Sequence, residues 1–291
     1  MRWIFRLSVM IFYSSAFTIA AEHDTIIQII AGAETHGMVD ACDCYQDPGG
    51  GLLKRSSLIK STGKPEGFLL LDAGGFSAGG IYDSYSEGRA GDSLRTIITI
   101  RGMAAIGYDA AAIGDEELQY GASWIVKQAK DAGLPLVSAN LFTKKGKPFA
   151  STYVLIKKGG KTFAVTGLTT NEKLFPIDTT VNICDPYKSL SRIWQEMVER
   201  SDYQIILSHL GQEKSAALAD SFPECDLIVN GHRKSDQNPV LLTGNAPLMQ
   251  FGFQGKSLSL AELDLRGGKL EINRKKWLHV GPQIPDDSSI V

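Results

Sequence analysis

The sequence predicts a layered α/β fold, and three observations carry that reading. Short runs rich in aliphatic and β-branched residues alternate with amphipathic helical patterns, which favours a layered sheet over an all-β sandwich. Several runs break directly into glycine followed by a carboxylate or an imidazole, and open α/β sheets bind ligands beyond the carboxyl ends of their strands. The last runs follow one another without helices between them, so the sheet should end in antiparallel hairpins.

Taken in order, strands are expected over Thr25–Ala31, Phe68–Asp72, Asp109–Ile113, Leu136–Asn140, Thr152–Ile156, Thr162–Leu168, Tyr203–Leu207 and Leu227–Asn230. Leu248–Phe251, Ser257–Leu265 and Lys269–Asn273 follow, with Gly267-Gly268 as a hairpin turn before the last. A helix over Asp92–Ile106 is read from Leu94, Ile97, Ile98, Met103 and Ile106, which fall close to the helical period. Gly121–Ala132, Tyr187–Arg200 and Glu213–Phe222 are the other helices, and Gly133 followed by Pro135 stops the first of these. Lys54 and Arg55 start a helix over the loop that follows the first strand.

The 291 residues carry 30 Lys and Arg against 32 Asp and Glu, a formal net charge of -2, and 43% are hydrophobic. This composition excludes disorder and fibrous repeats, and it lacks the basic excess of a nucleic-acid binder. Residues 1–21 read as a secretory signal peptide: Arg2 and Arg6 precede an apolar stretch from Leu7 to Ala20, with small residues at Thr18 and Ala20 for cleavage. An uncleaved anchor is the alternative, but the stretch is short for a span, which needs about 20 residues. No later segment is apolar enough to cross a membrane. One domain over residues 22–283 and a polar tail over 284–291 are therefore expected, in a periplasmic or otherwise extracytoplasmic protein.

The chemistry-bearing residues sit at strand ends. Glu34 and His36 follow the first strand, Gly74-Gly75 the second, and Asp115, Glu116 and Glu117 the third; His209 and His232 close two later strands. Three of the five histidines are used in this way. Mixed imidazole and carboxylate donors suit a divalent transition metal such as Zn, Mn or Fe.

The order and spacing of these motifs resemble the calcineurin-like metallophosphoesterases, in particular the 5′-nucleotidase/UDP-sugar hydrolase branch. Glu34-Thr35-His36-Gly37 is similar to that family's Asp-x-His-Gly, residues 49–59 to its Gly-Gly-x-x-Arg segment, and Leu69 to Gly75 to its Leu-Leu-Asp-Ala-Gly-Asp. Gly114-Asp115-Glu116-Glu117 stands at its Gly-Asn-His-Glu, while Ser208-His209-Leu210-Gly211 and Gly231-His232 stand at its last two metal motifs. The resemblance implies an α/β/β/α fold of two packed mixed sheets and a two-metal phosphoesterase site. It also implies a chain that stops where a second, substrate-recognising domain would begin.

Departures from the pattern shape the functional expectation. Gly75 replaces the Asp that bridges two metals in the family, Glu34 replaces a ligand Asp, Asp115 a ligand Asn, Glu116 the His that stabilises the transition state, and Lys234 the last ligand His. One metal is then expected, held by Asp115, His209 and His232, with the site around Glu34 and His36 depleted. In that arrangement Glu116 or Glu117 is the candidate base, Lys234 or Arg233 takes up developing negative charge, and Arg55 steadies an anionic substrate.

Cys42-Asp43-Cys44 lies just downstream of His36 and offers either thiolate ligands or a dithiol/disulfide couple. The Cys-containing loop resembles a divergent branch of the family associated with extracytoplasmic electron transfer, which implies a redox partner. Structural pairing of Cys42 or Cys44 with a distant cysteine is the plainer alternative. Two function classes result: a secreted metal-dependent hydrolase of a small phosphorylated or sulfur-containing substrate, and a non-hydrolytic metal- or redox-binding protein.

Overall fold

The computed structural model describes residues 26–43, 45, 48–63, 67–172, 178, 180–232, 239–243, 245–265 and 270–290. Strand β1 (Ile26–Gly32) buries apolar residues on both faces: Ile27, Ile29 and Ala31 on one side and Ile30 on the other, where Gln28 near the strand's start pairs with Glu262. A strand of that kind belongs inside a covered sheet. β2 (Phe68–Asp72), β3 (Ala110–Ala112) and β4 (Leu136–Val137) extend the sheet in parallel on one side of it. β13 (Ser257–Asp264) and β14 (Glu271–His279) add antiparallel strands on the other.

The second six-stranded sheet has the order β11 (Val240–Thr243), β12 (Ala246–Met249), β10 (Leu227–Asn230), β9 (Tyr203–His209), β7 (Lys161–Thr169) and β6 (Tyr153–Lys158). Its four central strands run parallel, and both edges are antiparallel. β5 (Leu141–Thr143) and β8 (Val181–Ile183) pair separately.

Three apolar clusters define the layers. Between the sheets, Ile27, Ile29, Leu69 and Leu71 meet Phe163, Val165, Ile205 and Val229. On the outer face of the first sheet, Ile59 of α1 (Leu52–Thr62), Ile100 and Met103 of α2 (Gly88–Ile106) and Ile125 of α3 (Ala122–Ala132) join Ile30, Leu70 and Leu260 in one cluster. On the outer face of the second, Leu190 and Trp194 of α4 (Pro186–Arg200) and Leu218 of α5 (Gln212–Ser221) join Ile206, Ile228 and Leu248. The α/β/β/α arrangement of two packed mixed sheets is thus the one that forms.

Local chemistry sets the helix limits. Gly107 and Gly133 take left-handed conformations that close α2 and α3, as the Gly133–Pro135 signal requires. Asp185 caps α4 by accepting from the Lys188 N–H, with Pro186 in the first turn.

Differences from the sequence-based elements have identifiable causes. The strand expected over Leu136–Asn140 is cut to β4, which ends at Val137, with an unanticipated β5 starting beyond it at Leu141; the Asn140 side chain leaves the ladder. It donates to Thr169 O and accepts from Thr169 N, taking the place of a backbone partner for β7. β3 is shorter than expected, and the Asp109 carboxylate accepts the Leu70 N–H in front of it. β14 runs on to His279 as a charged edge strand whose polar residues hide its pattern. β8 and β11 were not anticipated, being short and at sheet margins. The signal-peptide segment, Thr25 and the Gly267-Gly268 turn lie outside the described residues. Among the described residues, no helix is long and apolar enough to cross a membrane.

The consequence for function is that β1, β2 and β3 of one sheet and β9 and β10 of the other deliver their carboxyl ends to a common edge. The sheets approach closely behind it: a Cβ on Gly167 would run into the backbone carbonyl of Val137. Gly167→Ala should therefore destabilise the fold by about 1–3 kcal/mol through overpacking. Denaturant unfolding checks this, and an unchanged midpoint would refute the close-approach reading.

Candidate metal centre

The loops after β1 and β2 are zipped together by backbone bonds that continue the sheet. Glu34 N donates to Gly74 O at 2.9 Å, His36 N to Gly75 O at 2.9 Å, and Gly37 N to Phe76 O at 3.0 Å. Glu34 and His36 have φ of 53° and 50°, and His232 has φ of 57°. Such left-handed conformations cost roughly 1–3 kcal/mol each in non-glycine residues and tend to mark functional positions.

Glu117 ties the third loop to this pair. Its Oε2 accepts from Gly114 N at 2.7 Å and Gly75 N at 3.0 Å, and its Oε1 accepts from Ser77 N at 2.9 Å. The side chain of Glu117, one of the two candidate bases read from the sequence, is completely buried and faces backbone N–H groups. Asp72 fixes the turn after β2 in a similar way, accepting from Gly74 N.

Two groups of three ligand-type side chains result, all buried: Asp115 with His209 and His232, and Glu34 with His36 and Glu116. In the first, Asp115 Oδ1 lies 2.9 Å from His209 Nε2 and 3.3 Å from His232 Nδ1. His209 Nδ1 lies 2.8 Å from Ala73 O; donating to that carbonyl leaves Nε2 as the ligand atom. His232 Nε2 lies 3.4 Å from Glu172 Oε2. In the second group, His36 Nδ1 is 2.8 Å from Glu116 Oε2, and Nε2 is 3.4 Å from Glu34 Oε2. Two buried atoms in these groups, His36 Nε2 and Asp115 Oδ2, have no hydrogen-bond partner among the described residues. Orphaned buried polar atoms of this kind fit a cation-binding site.

The two ligand groups bring buried imidazoles and carboxyl groups together. Burial disfavours a charged His209, but Glu34 and Asp115 outweigh it and push its pKa up to about 10. His36 is also raised, with burial opposing and Glu116 and Glu34 prevailing. Burial pushes Glu116 up to about 8, while burial of Asp115 is overcome by its two histidines and its pKa falls well below the usual range.

Other expected site residues are placed differently. Arg55 is fully buried and donates to Thr35 and Tyr108, so it braces the β1 loop from inside instead of facing an anionic ligand. Cys42 is disulfide-bonded and accepts from the Tyr85 hydroxyl at 2.8 Å, and neither ligand group includes a cysteine. Cys184 and Cys225 are free. Cys44, Arg233 and Lys234 lie outside the described residues. Glu172 was missed by sequence reasoning, although it follows the end of β7 and the strand-end rule points to it. Arg95 was missed as well; it donates to His36 O and pairs with Asp83 and Asp92.

Replacing Glu117 with Leu leaves three buried N–H groups without an acceptor and should lower metal-free stability by about 3 kcal/mol or more, read by denaturant unfolding. A loss below about 1 kcal/mol, the net worth of a single ordinary hydrogen bond, would sink its positioning role. A cation must also displace protons. His209, with its folded pKa above the unfolded value of 6.5, stabilises the metal-free chain below that pH, and the contribution is lost as pH rises toward about 10. Near neutral pH, cation uptake should therefore release protons, and affinity should climb with pH. Calorimetry in buffers of different ionisation enthalpy measures this; an identical heat in every buffer would refute it.

No family model matches the chain. It is 32% identical over 163 residues to a 5′-nucleotidase of Vibrio cholerae, covering 50% of this chain and 29% of the relative. The 5′-nucleotidase precursor of Thermus thermophilus superposes with a TM-score of 0.75 at 23% identity, over 91% of this chain and 57% of that one. The calcineurin-like phosphoesterase YfkN of Bacillus subtilis gives 0.69 at 21% identity, over 91% and 94%. The chain spans about half or less of the length of the first curated relatives it matches. By sequence the chain is similar to 5′-nucleotidases, and its fold is the one shared by the Thermus thermophilus 5′-nucleotidase precursor and the calcineurin-like phosphoesterase YfkN.

Proposed function

We propose that the chain is an extracytoplasmic, metal-dependent phosphoester hydrolase acting on small phosphorylated substrates of the nucleotide kind. The carrying observation is the pair of adjoining ligand groups at the joined strand ends, with His36 Nε2 and Asp115 Oδ2 left unpartnered. Zn, Mn or Fe suits these donors; when bound, such an ion supplies Lewis acidity and lowers the pKa of its water. The disulfide at Cys42 and the leader pattern of residues 1–21 support an oxidising, extracytoplasmic setting.

The chain's own residues hold and orient. Asp115, His209 and His232 form one ligand set, with Ala73 O fixing the His209 tautomer and Glu172 facing the far nitrogen of His232. In the other set Glu116 orients the His36 ring through Nδ1 and leaves Nε2 toward Glu34. In place of the single metal expected from the sequence, we propose two cation positions, one for each ligand group. Burial raises the pKa of Glu116, and its contact with His36 Nδ1 opposes that shift, so the carboxyl is tied to the histidine beside it. Arg233 and Lys234, next to His232 in the chain, are the candidates for meeting the substrate's negative charge.

Purified full chain assayed with nucleoside monophosphates, a UDP-sugar and a generic phosphodiester, across Mn, Zn, Co and Fe, should show turnover. His232→Ala should reduce it at least a hundredfold. Absence of turnover with every metal and substrate would overturn the hydrolase reading.

A further inference from the structure

Gly75 offers no side chain, yet the space in front of it is filled. A Cβ built on Gly75 would lie 2.5 Å from Glu34 Oε1, 2.8 Å from Glu34 Cδ and 3.1 Å from Glu34 Oε2. The Glu34 carboxylate therefore occupies the place into which any side chain at position 75 would project. Two backbone features bring it there: the left-handed φ of 53° at Glu34, and the bonds that lock the β1 loop to Gly74 and Gly75.

The two oxygens of Glu34 face different ligand groups. Oε2 lies 3.4 Å from the unpartnered His36 Nε2. Oε1 accepts from His232 N at 2.9 Å and lies 3.6 Å from His209 Nδ1. Glu34 thus reaches residues of both groups: the ring nitrogen Nε2 of His36 in one, and in the other the backbone N–H of His232 and the side of the His209 ring that is turned to Ala73 O.

We propose that Glu34 is the carboxylate shared between two cation positions, supplied from the end of β1 because the end of β2 carries Gly75. The extra methylene of glutamate and the bare glycine are two halves of one exchange. An aspartate at position 34 would draw the carboxylate back toward β1, and a side chain at position 75 would collide with it. This inference rests on the metal-binding part of the proposed function and is independent of hydrolysis.

The test uses Mn(II) alone with the full chain, read by calorimetry and electron paramagnetic resonance. The wild type should take up two Mn(II) and give a spin-coupled spectrum. Glu34→Gln should lose at least tenfold in affinity for one ion and give the six-line spectrum of isolated Mn(II). Glu34→Ala combined with Gly75→Asp should regain the second ion, since aspartate tolerates the left-handed φ of 73° at this position. Gly75→Asp alone should weaken both ions. Two ions bound by Glu34→Gln with wild-type affinity, or a double variant no better than Glu34→Ala, would overturn the shared-ligand assignment. The wild-type spectrum is independent of how the variants fold: one ion, or two uncoupled ions, at saturation also overturns it. A wild type that binds no metal would instead bring down the metal-dependent function as well.

Discussion

The geometry of the site depends on one buried carboxylate that touches no candidate ligand atom at hydrogen-bonding distance. Glu117 takes three backbone N–H groups, from Gly75, Ser77 and Gly114, and so holds the loop after β2 against the loop after β3. Buried N–H groups left without an acceptor cost roughly 1–3 kcal/mol each, so these three bonds help hold the strained backbone nearby. The loop after β1 is in turn zipped to the β2 loop. Once these three loops are registered, Glu34, His36, Asp115 and Glu116 have little freedom in where they point. The second sheet adds His209 and His232 from strand ends that are themselves buried.

The layering and the ligand-bearing edge were legible because both rest on simple patterns. Runs such as Ile27–Ala31 and Ile205–Leu207 bury apolar residues on both faces, and they end in the glycines and polar residues that strand ends require. The His36, His209 and His232 positions followed from that rule. Glu117 was legible as a residue but not as a role, since its partners are backbone N–H groups that no residue type announces. The surroundings of Arg55 were hidden for a related reason. A cation near a site looks like an anion contact in sequence, whereas here its donors turn inward to Thr35 and Tyr108.

The count of cation positions is where the sequence pattern and the proposed site differ most, and the cause is physical. Scoring each motif position separately treats a side chain as acting only from its own strand. Glu34 and Gly75 are neighbours across the β1–β2 pair, with His36 N bonded to Gly75 O, so a longer side chain on one can fill the space left by the other. Three of the four non-glycine residues with positive φ, Glu34, His36 and His232, are candidate ligands. Strain concentrated on them is consistent with a site whose backbone is set by the loops around it.

The bare position at Gly75 changes how relatives of this chain should be compared. Strand ends in this fold behave as adjacent sockets opening into one small volume, and a functional group can be plugged in from either. Column-by-column comparison would record two defects here, a missing aspartate and an overlong one. Measured by volume, the space in front of Gly75 is filled by the carboxylate of Glu34. Chains dismissed as degenerate on missing columns should be re-examined for a longer side chain on the neighbouring strand before their chemistry is written off.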